Sequence, residues 1–282
     1  MKTRTVGLIS ANVLTLFVLI IVLLPFYWMI ISSFKPTPDL FKLPPDWIPK
    51  TWVLDHYQAV LRGGIRERVG FLTYFKNSLI VCLAVVAVTL ILATPAAYIL
   101  SRVKFGGGRT IINVILVTQM VPIVMLLIPL YIMFMKMRLL NTYTSVVLTY
   151  LVFTLPFSMW MLKGYIDTIP KELEEAAMID GCSELAALWR VILPSIRPGL
   201  IAVSIVSFLA GWDEFIIALT LLSRNSMRTL PPGIVLSFVG EFQIRWGDMM
   251  AASVIISMPV VFASALLYKY LVGGLTKGAV KG

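Results

Sequence analysis

Six apolar segments, roughly 11–33, 78–100, 111–135, 144–162, 199–222 and 249–268, are each long enough to cross about 30 Å of hydrocarbon as a helix. Five of them contain no Asp, Glu, Lys or Arg, and the fifth in order is interrupted only by Asp213 and Glu214. Buried in lipid, a backbone must satisfy its own polar groups, so such runs are helices; the alternation of a membrane barrel is absent. Charged residues make up 13% of the chain against about 25% in an ordinary soluble domain, and mean hydropathy is +0.91. These values exclude a disordered chain and a water-soluble enzyme. The fold class expected is an all-α integral membrane protein with six transmembrane helices, one transmembrane domain spanning 1–282.

Lys2 and Arg4 precede the first run as they would in a signal peptide, but the run is too long for a signal core and no small-residue cleavage site closes it. A retained helix is expected. The net charge of +10 is distributed between apolar spans, where basic residues orient a membrane chain and call for no nucleic acid. The count is level across the two sides because the 34–77 segment holds seven basic residues. Long connections guide less than short ones, and the short ones, with the cluster Arg102, Lys104 and Arg109, place both termini in the cytoplasm. The 34–77 segment, rich in Pro and Trp (Pro44, Pro45, Trp47, Trp52), is expected to lie across the outer surface. The 223–248 segment with Leu230-Pro231-Pro232-Gly233 is read as a second outer loop. Cys82, Cys182 and the lone His56 offer neither a disulfide framework nor a metal site, and are read as buried or loop residues without chemistry.

Between the fourth and fifth spans, at about 163–198, lie six of the fourteen acids: Asp167, Glu172, Glu174, Glu175, Asp180 and Glu184. Pro170 suits a first helical turn, and acids following it are favoured by the macrodipole. Ala176, Ala177 and Met178 continue that helix, and Gly181 fits the left-handed residue that ends one. Ser183 can cap a second helix, Glu184 to Val191, which Pro194 is expected to stop. A helix–turn–helix on the cytoplasmic face results, readable on pattern alone either as a solvated connector or as a docking element.

Glu175-Ala176-Ala177, Gly181, Val191, Leu193 and Pro194 resemble the loop signature E-A-A-x3-G-x9-I-x-L-P of ATP-binding-cassette importer permeases, with Val191 for the usual Ile. Further pieces in order are similar to the shorter permease subunit of maltose-type carbohydrate importers. They include Ser33-Phe34-Lys35, Asn77-Ser78, Ala97-Tyr98, Ser101-Arg102, Pro129-Leu130-Tyr131, Trp212-Asp213-Glu214-Phe215 and the ending from Leu271 to Gly282. Asp213 stands where that family commonly has Asn.

The resemblance implies a coupling helix built from Glu174, Glu175, Ala176, Ala177, Asp180, Gly181, Val191, Leu193 and Pro194, seated on a separate ATPase subunit. It also implies a homologous second permease, two ATPases that use ATP and Mg, an outer solute-binding protein, a sugar substrate, and a place in the inner membrane. The glycine-rich tail, within 269–282, would be cytoplasmic and reach towards the ATPases, or fray. The chain itself lacks G-x4-G-K-[ST]; Gly106-Gly107-Gly108-Arg109-Thr110 is a lookalike better suited to a tight turn, so no cofactor is expected on this chain.

Acids inside a span are costly and usually face a cavity or the bundle interior. On a continuous helix Ser204, Ser207, Gly211 and Glu214 share one face, which ranks Glu214 above Asp213 as pathway-lining. Trp212, Phe208 and Phe215 supply aromatic faces for a sugar ring, and Gln119 and Asn113 are further polar candidates. Interhelix hydrogen bonding is the alternative role for Glu214 and Gln119. Pro122 and Pro129 are expected to disturb the third span. A rival class, a proton-coupled secondary transporter using Asp213 and Glu214, leaves the signature loop unexplained.

Overall fold

The computed structural model describes residues 2–62, 69–103, 106–238 and 244–278, with side chains from Asn12 onward except those of Arg109, Leu267 and 269–278. Helices dominate: α1 Lys2–Ser33, α2 Asp55–Arg62, α3 Phe71–Arg102, α4 Gly108–Thr118, α5 Ile123–Lys136, α6 Tyr143–Asp167, α7 Glu172–Ile179, α8 Glu184–Ala187, α9 Leu193–Ser195, α10 Arg197–Trp212, α11 Ile216–Leu221, α12 Leu230–Phe238 and α13 Trp246–Gly278. No β-strand element occurs among the described residues. The chain is an all-α integral membrane protein. Among the described residues, four helices, within Asn12–Ser33, Phe71–Arg102, Tyr143–Asp167 and Trp246–Leu266, are long and apolar enough to span, and two bent pairs raise the number to as many as six.

Proline position decides where spans break. The expected third span 111–135 is two helices, α4 and α5, meeting at 88°. Pro122 is the N-cap of α5, and lacking an N–H it cannot bond back to the preceding turn. Pro129, expected to disturb the same span, lies inside α5 without interrupting it. The expected fifth span 199–222 is also discontinuous: α10 ends at Trp212, Asp213 caps it, and α11 starts only at Ile216. Leu230-Pro231-Pro232-Gly233, expected in a loop, instead opens α12. Prolines in a first turn sacrifice only N–H groups that have no intrahelical acceptor. At the other end α13 stays helical through Gly278, so most of the expected tail is helix; residues 279–282, like Lys104, lie outside the described residues.

Two compact units divide the chain: Met1–Phe71 with Ile234–Met258, and Leu72–Gly233 with Pro259–Gly282. In the first, the Pro- and Trp-rich segment folds back on the end of α1. The Val53 N–H donates to the Phe34 carbonyl (2.9 Å), Trp28 and Trp47 meet edge to face (5.5 Å), and Lys35 Nζ sits 4.1 Å over the Trp28 ring while donating to the Asp46 carbonyl. His56 is buried in α2. Its Nδ1 lies 2.7 Å from Asp248 Oδ1, its Nε2 lies 2.9 Å from the Lys35 carbonyl, and Arg245 Nη2 reaches Asp248 Oδ2 at 2.5 Å. His56 is thus one of the buried residues the sequence analysis allowed for, and its ring is paired with the buried Asp248. The hydrogen bond to Asp248 holds the imidazole pKa above its ordinary value. Gly247 is required beside it, since a Cβ there would stand 2.2 Å from the imidazole ring.

Among the described residues of the second unit, two apolar clusters stand out. Val81, Val85, Phe134, Val146, Tyr150, Ile217, Leu221 and Leu222 join α3, α5, α6 and α11. Ala93, Ala97, Leu162, Ile166, Leu188, Ile192, Ile196 and Val203 join α3 and α6 to the segment entering α10. Small Ala93 and Ala97 let helices approach closely, and Thr89 and Thr154 share a buried hydrogen bond (2.9 Å) across that contact. Cys82, buried, and Cys182, part-buried, are both free thiols.

Candidate functional site

The acidic segment folds as a hairpin of short helices. Glu172, Glu174 and Glu175 occupy the first turn of α7, where the N–H groups and macrodipole favour negative charge. Gly181 has φ +89°, the left-handed geometry that turns the chain after α7, and Ser183 Oγ accepts the Ala186 N–H to cap α8. Beyond the turn the structure departs from expectation. The second helix does not stop at Pro194 but passes through a π-helical stretch, Leu188–Ile192, into α9, and bends only at Ile196. Pro194 falls in the first turn of α9, where its missing N–H is tolerated, and the wider π turn before it absorbs the change of register. Leu188, Ile192 and Ile196 anchor this half in the second apolar cluster.

α7 presents two unlike faces. Glu174 is buried, its Oε1 2.5 Å from Arg102 Nε and its Oε2 3.0 Å from the Tyr98 hydroxyl. Glu175, Ala176, Asp180 and Gly181 are exposed, and Ala177 is half-buried. Apolar side chains of the hairpin are exposed too: Ile179 by 86% at the end of α7, Leu185 by 66% on α8 and Trp189 by 65% in the π-helical stretch after it. Val191 and Leu193 are half-buried and Pro194 exposed. Of the coupling residues expected from sequence, the structure gathers all into one hairpin but turns Glu174 inward.

The polar group in the fifth span is arranged by its break. Because α10 ends at Trp212, Glu214 does not continue the face of Ser204, Ser207 and Gly211, and the argument that ranked it above Asp213 fails. Its carboxylate instead accepts the N–H groups of Ile217 (2.7 Å) and Ala218 (3.0 Å) at the start of α11, and the Tyr150 hydroxyl (2.7 Å). Interhelix hydrogen bonding, the alternative reading, describes this geometry. Asp213 is exposed at the break. Trp212 is buried, stacked on Phe208 (5.2 Å) and edge-on to Phe75 (5.5 Å). Gly211 packs where a Cβ would approach Cys82 Sγ (3.2 Å) and the Tyr150 ring (3.3 Å). Ser207 Oγ is buried without a hydrogen-bond partner among the described residues. Gln119 Nε2 donates to the Phe153 carbonyl (2.7 Å), again an interhelix bond, and Asn113 is exposed on α4.

The profile of the family described as binding-protein-dependent transport system inner membrane component matches residues 93–277. The chain belongs to this family. Among permease relatives, it is 35% identical over the full length of both chains to the diacetylchitobiose uptake system permease protein DasC of Streptomyces coelicolor. It is 38% identical to the trehalose/maltose transport system permease protein MalG of Thermococcus litoralis, over 93% of each chain. It is 35% identical to the sulfoquinovosyl glycerol transport system permease protein SmoH of Agrobacterium fabrum, over 92% of this chain and 89% of that one. The permease fold is also that of a bacterial ABC transporter involved in the import of the acidic polysaccharide alginate, with TM-score 0.79 at 20% identity over 96% of this chain and 98% of that one.

Two constellations in the permease escaped the sequence reading. Ser101 entered it as a point of resemblance and Arg102 as that and as an orienting charge, yet Ser101 Oγ donates to Asp167 (2.6 Å) and Arg102 Nη2 to the Ile169 carbonyl (2.9 Å), besides the bond to Glu174. Asp248 lies one residue outside the expected sixth span, and its pairing with the single histidine was the available signal.

Proposed function

We propose that this permease forms half of the translocation pathway of a sugar importer and is driven by separate ATPase subunits through the hairpin Glu172–Ser195. The observation that carries this is the two-faced α7. Its inner face is fixed by Arg102 and Tyr98, while its outer face offers an acid, a small alanine and bare apolar residues beside one another. An apolar rim of that kind around a carboxylate marks a protein-docking surface. Ala176 allows a helix or groove to approach closely, and Glu175 offers a charge for a cation on the ATPase. Both termini and the hairpin then lie on the cytoplasmic side, and a second permease and an outer binding protein complete the assembly.

The relatives named for diacetylchitobiose, for trehalose and maltose, and for sulfoquinovosyl glycerol support a substrate with a glycosidic bond, and the first two support a disaccharide. Within this half of the pathway, Asp213 is the exposed carboxylate that would accept hydroxyl hydrogen bonds, next to the aromatic group around Trp212. Glu214 holds the break open by capping α11, and that commitment weighs against the proton-coupled alternative, which needs it to titrate. Replacing Ile179 with Cys and crosslinking in intact cells tests the docking. Capture of an ATPase subunit is expected, and its absence from every position of the outer face overturns the reading. Uptake of labelled disaccharides in cells with and without the chain tests the substrate class.

A further inference from the structure

We infer that Arg102, Glu174 and Tyr98 form a clamp that carries the movement of α7 directly into α3, so that coupling does not depend only on the chain segments leading into α6 and α10. The inference rests on the coupling role proposed for the hairpin. It deepens that role by assigning positioning residues on the inner side of α7.

The last turns of α3 meet the end of α6, the linker after it and the start of α7 through four side-chain contacts. Arg102 Nε donates to Glu174 Oε1 (2.5 Å), Arg102 Nη2 to the Ile169 carbonyl (2.9 Å), Tyr98 OH to Glu174 Oε2 (3.0 Å) and Ser101 Oγ to Asp167 Oδ1 (2.6 Å). The ion pair is buried, with side-chain exposures of 10% for Arg102 and 6% for Glu174. Glu174 thus has both carboxylate oxygens held by α3, and Arg102 grips both α7 and the linker before it. A charge-assisted, two-pronged contact of this kind resists shear as well as separation, which a packing contact between apolar surfaces does not. The covalent route is softer. Between Asp167 and Glu172 the chain has no regular helix, and after Ile179 it turns through Gly181 at φ +89°. A push on the exposed side of α7 therefore meets its stiffest connection at α3, whose opposite end lies 31 residues away at Phe71 in one uninterrupted helix.

The test uses the whole transporter, purified with its partners and reconstituted in vesicles. Arg102→Ala and Glu174→Ala should retain the ATPase at wild-type stoichiometry and keep the Ile179→Cys crosslink to it. Sugar moved per ATP hydrolysed should nevertheless fall by at least about fivefold. The exchanged pair Arg102→Glu with Glu174→Arg, which restores opposite charges across the contact, should recover a substantial part of that ratio. An unchanged ratio in both single variants, with the crosslink intact, overturns the clamp while leaving the docking reading standing. Loss of ATPase retention in the single variants also overturns it, because the pair would then shape the docking face instead of transmitting from it. Failure of the crosslink in the unmodified inner face removes the docking reading and the clamp with it.

Discussion

Asp248→Asn should loosen α2 from the start of α13 and abolish a pH dependence that the native pair imposes. Both ring nitrogens of His56 face acceptors, Asp248 Oδ1 at 2.7 Å and the Lys35 carbonyl at 2.9 Å. Only the imidazolium can donate to both, so the folded state holds the proton, in keeping with the raised pKa. Removing one partner of a buried pair costs about 3–5 kcal/mol when the other charge is trapped. His56 can escape part of that by losing its proton, leaving the loss of one charge-assisted hydrogen bond, about 1.5–3 kcal/mol. A local destabilisation of about 2 kcal/mol corresponds to roughly 30-fold faster opening-limited exchange. Amide hydrogen exchange of residues 55–62, followed by mass spectrometry, reads it directly. Because the folded pKa is raised, the native stabilisation is complete below the ordinary histidine value and is lost as pH rises through the folded value. Wild-type protection of α2 should therefore weaken on the alkaline side, and the Asn variant should be flat there. Exchange in the variant within about threefold of wild type, or a wild-type profile constant from acid to alkaline pH, would refute the assignment of a cationic His56.

Asn77→Ala should free the 223–229 segment, because the buried amide donates to the Ser226 and Arg228 carbonyls (2.9 and 2.8 Å) and accepts from the Tyr143 hydroxyl (2.7 Å); a loss of about 2–3 kcal/mol would appear as a lowered unfolding midpoint in detergent. Glu214→Gln should keep part of the α11 cap and Glu214→Ala none, so thermal stability should fall in that order, the alanine variant by about 1–2 kcal/mol. Gly233→Ala places a Cβ 2.5 Å from the Tyr74 ring and should cost about 1–3 kcal/mol, visible as reduced yield of folded protein by size-exclusion chromatography. Gly181→Val must hold a β-branched residue at φ +89°, and should cut uptake while leaving membrane insertion intact, as judged by immunoblot of the membrane fraction.

Hydropathy reports composition and is blind to backbone continuity, which explains what could and could not be seen from the residues. The spans 11–33, 78–100, 144–162 and 249–268 appear as helices, with ends extended by residues too polar to register, such as Asn77 and Asp167. Gly181 and Ser183 sit where their intrinsic preferences put them, because a left-handed turn and a cap are local matters. The break at 213–215 was not legible, and of the two prolines expected to disturb the third span Pro122 interrupts it while Pro129 does not, though both sit in the same apolar run. Arithmetic on helical faces assumed the fifth span continuous, so it joined Glu214 to Ser207 where the chain separates them. Arg102 and Glu174 are 72 positions apart, and nothing short of the tertiary fold brings them together.

The break after Trp212 and the inward turn of Glu174 have a common physical logic. In each place a pair of adjacent acids, Asp213-Glu214 and Glu174-Glu175, is split by the backbone so that one member is consumed by structure and the other left exposed. Glu214 satisfies the free N–H groups that a discontinuous helix creates, which allows α11 to begin in an apolar setting without orphaned donors. Glu174 satisfies Arg102, which would otherwise be a nearly buried cation at the end of a spanning helix. Because the structural member is held by its partners, the neighbouring carboxylate is left exposed at a defined position. Asp213 and Glu175 are therefore the two carboxylates to follow, the first at a helix break between apolar segments and the second on the exposed side of α7, where docking is proposed.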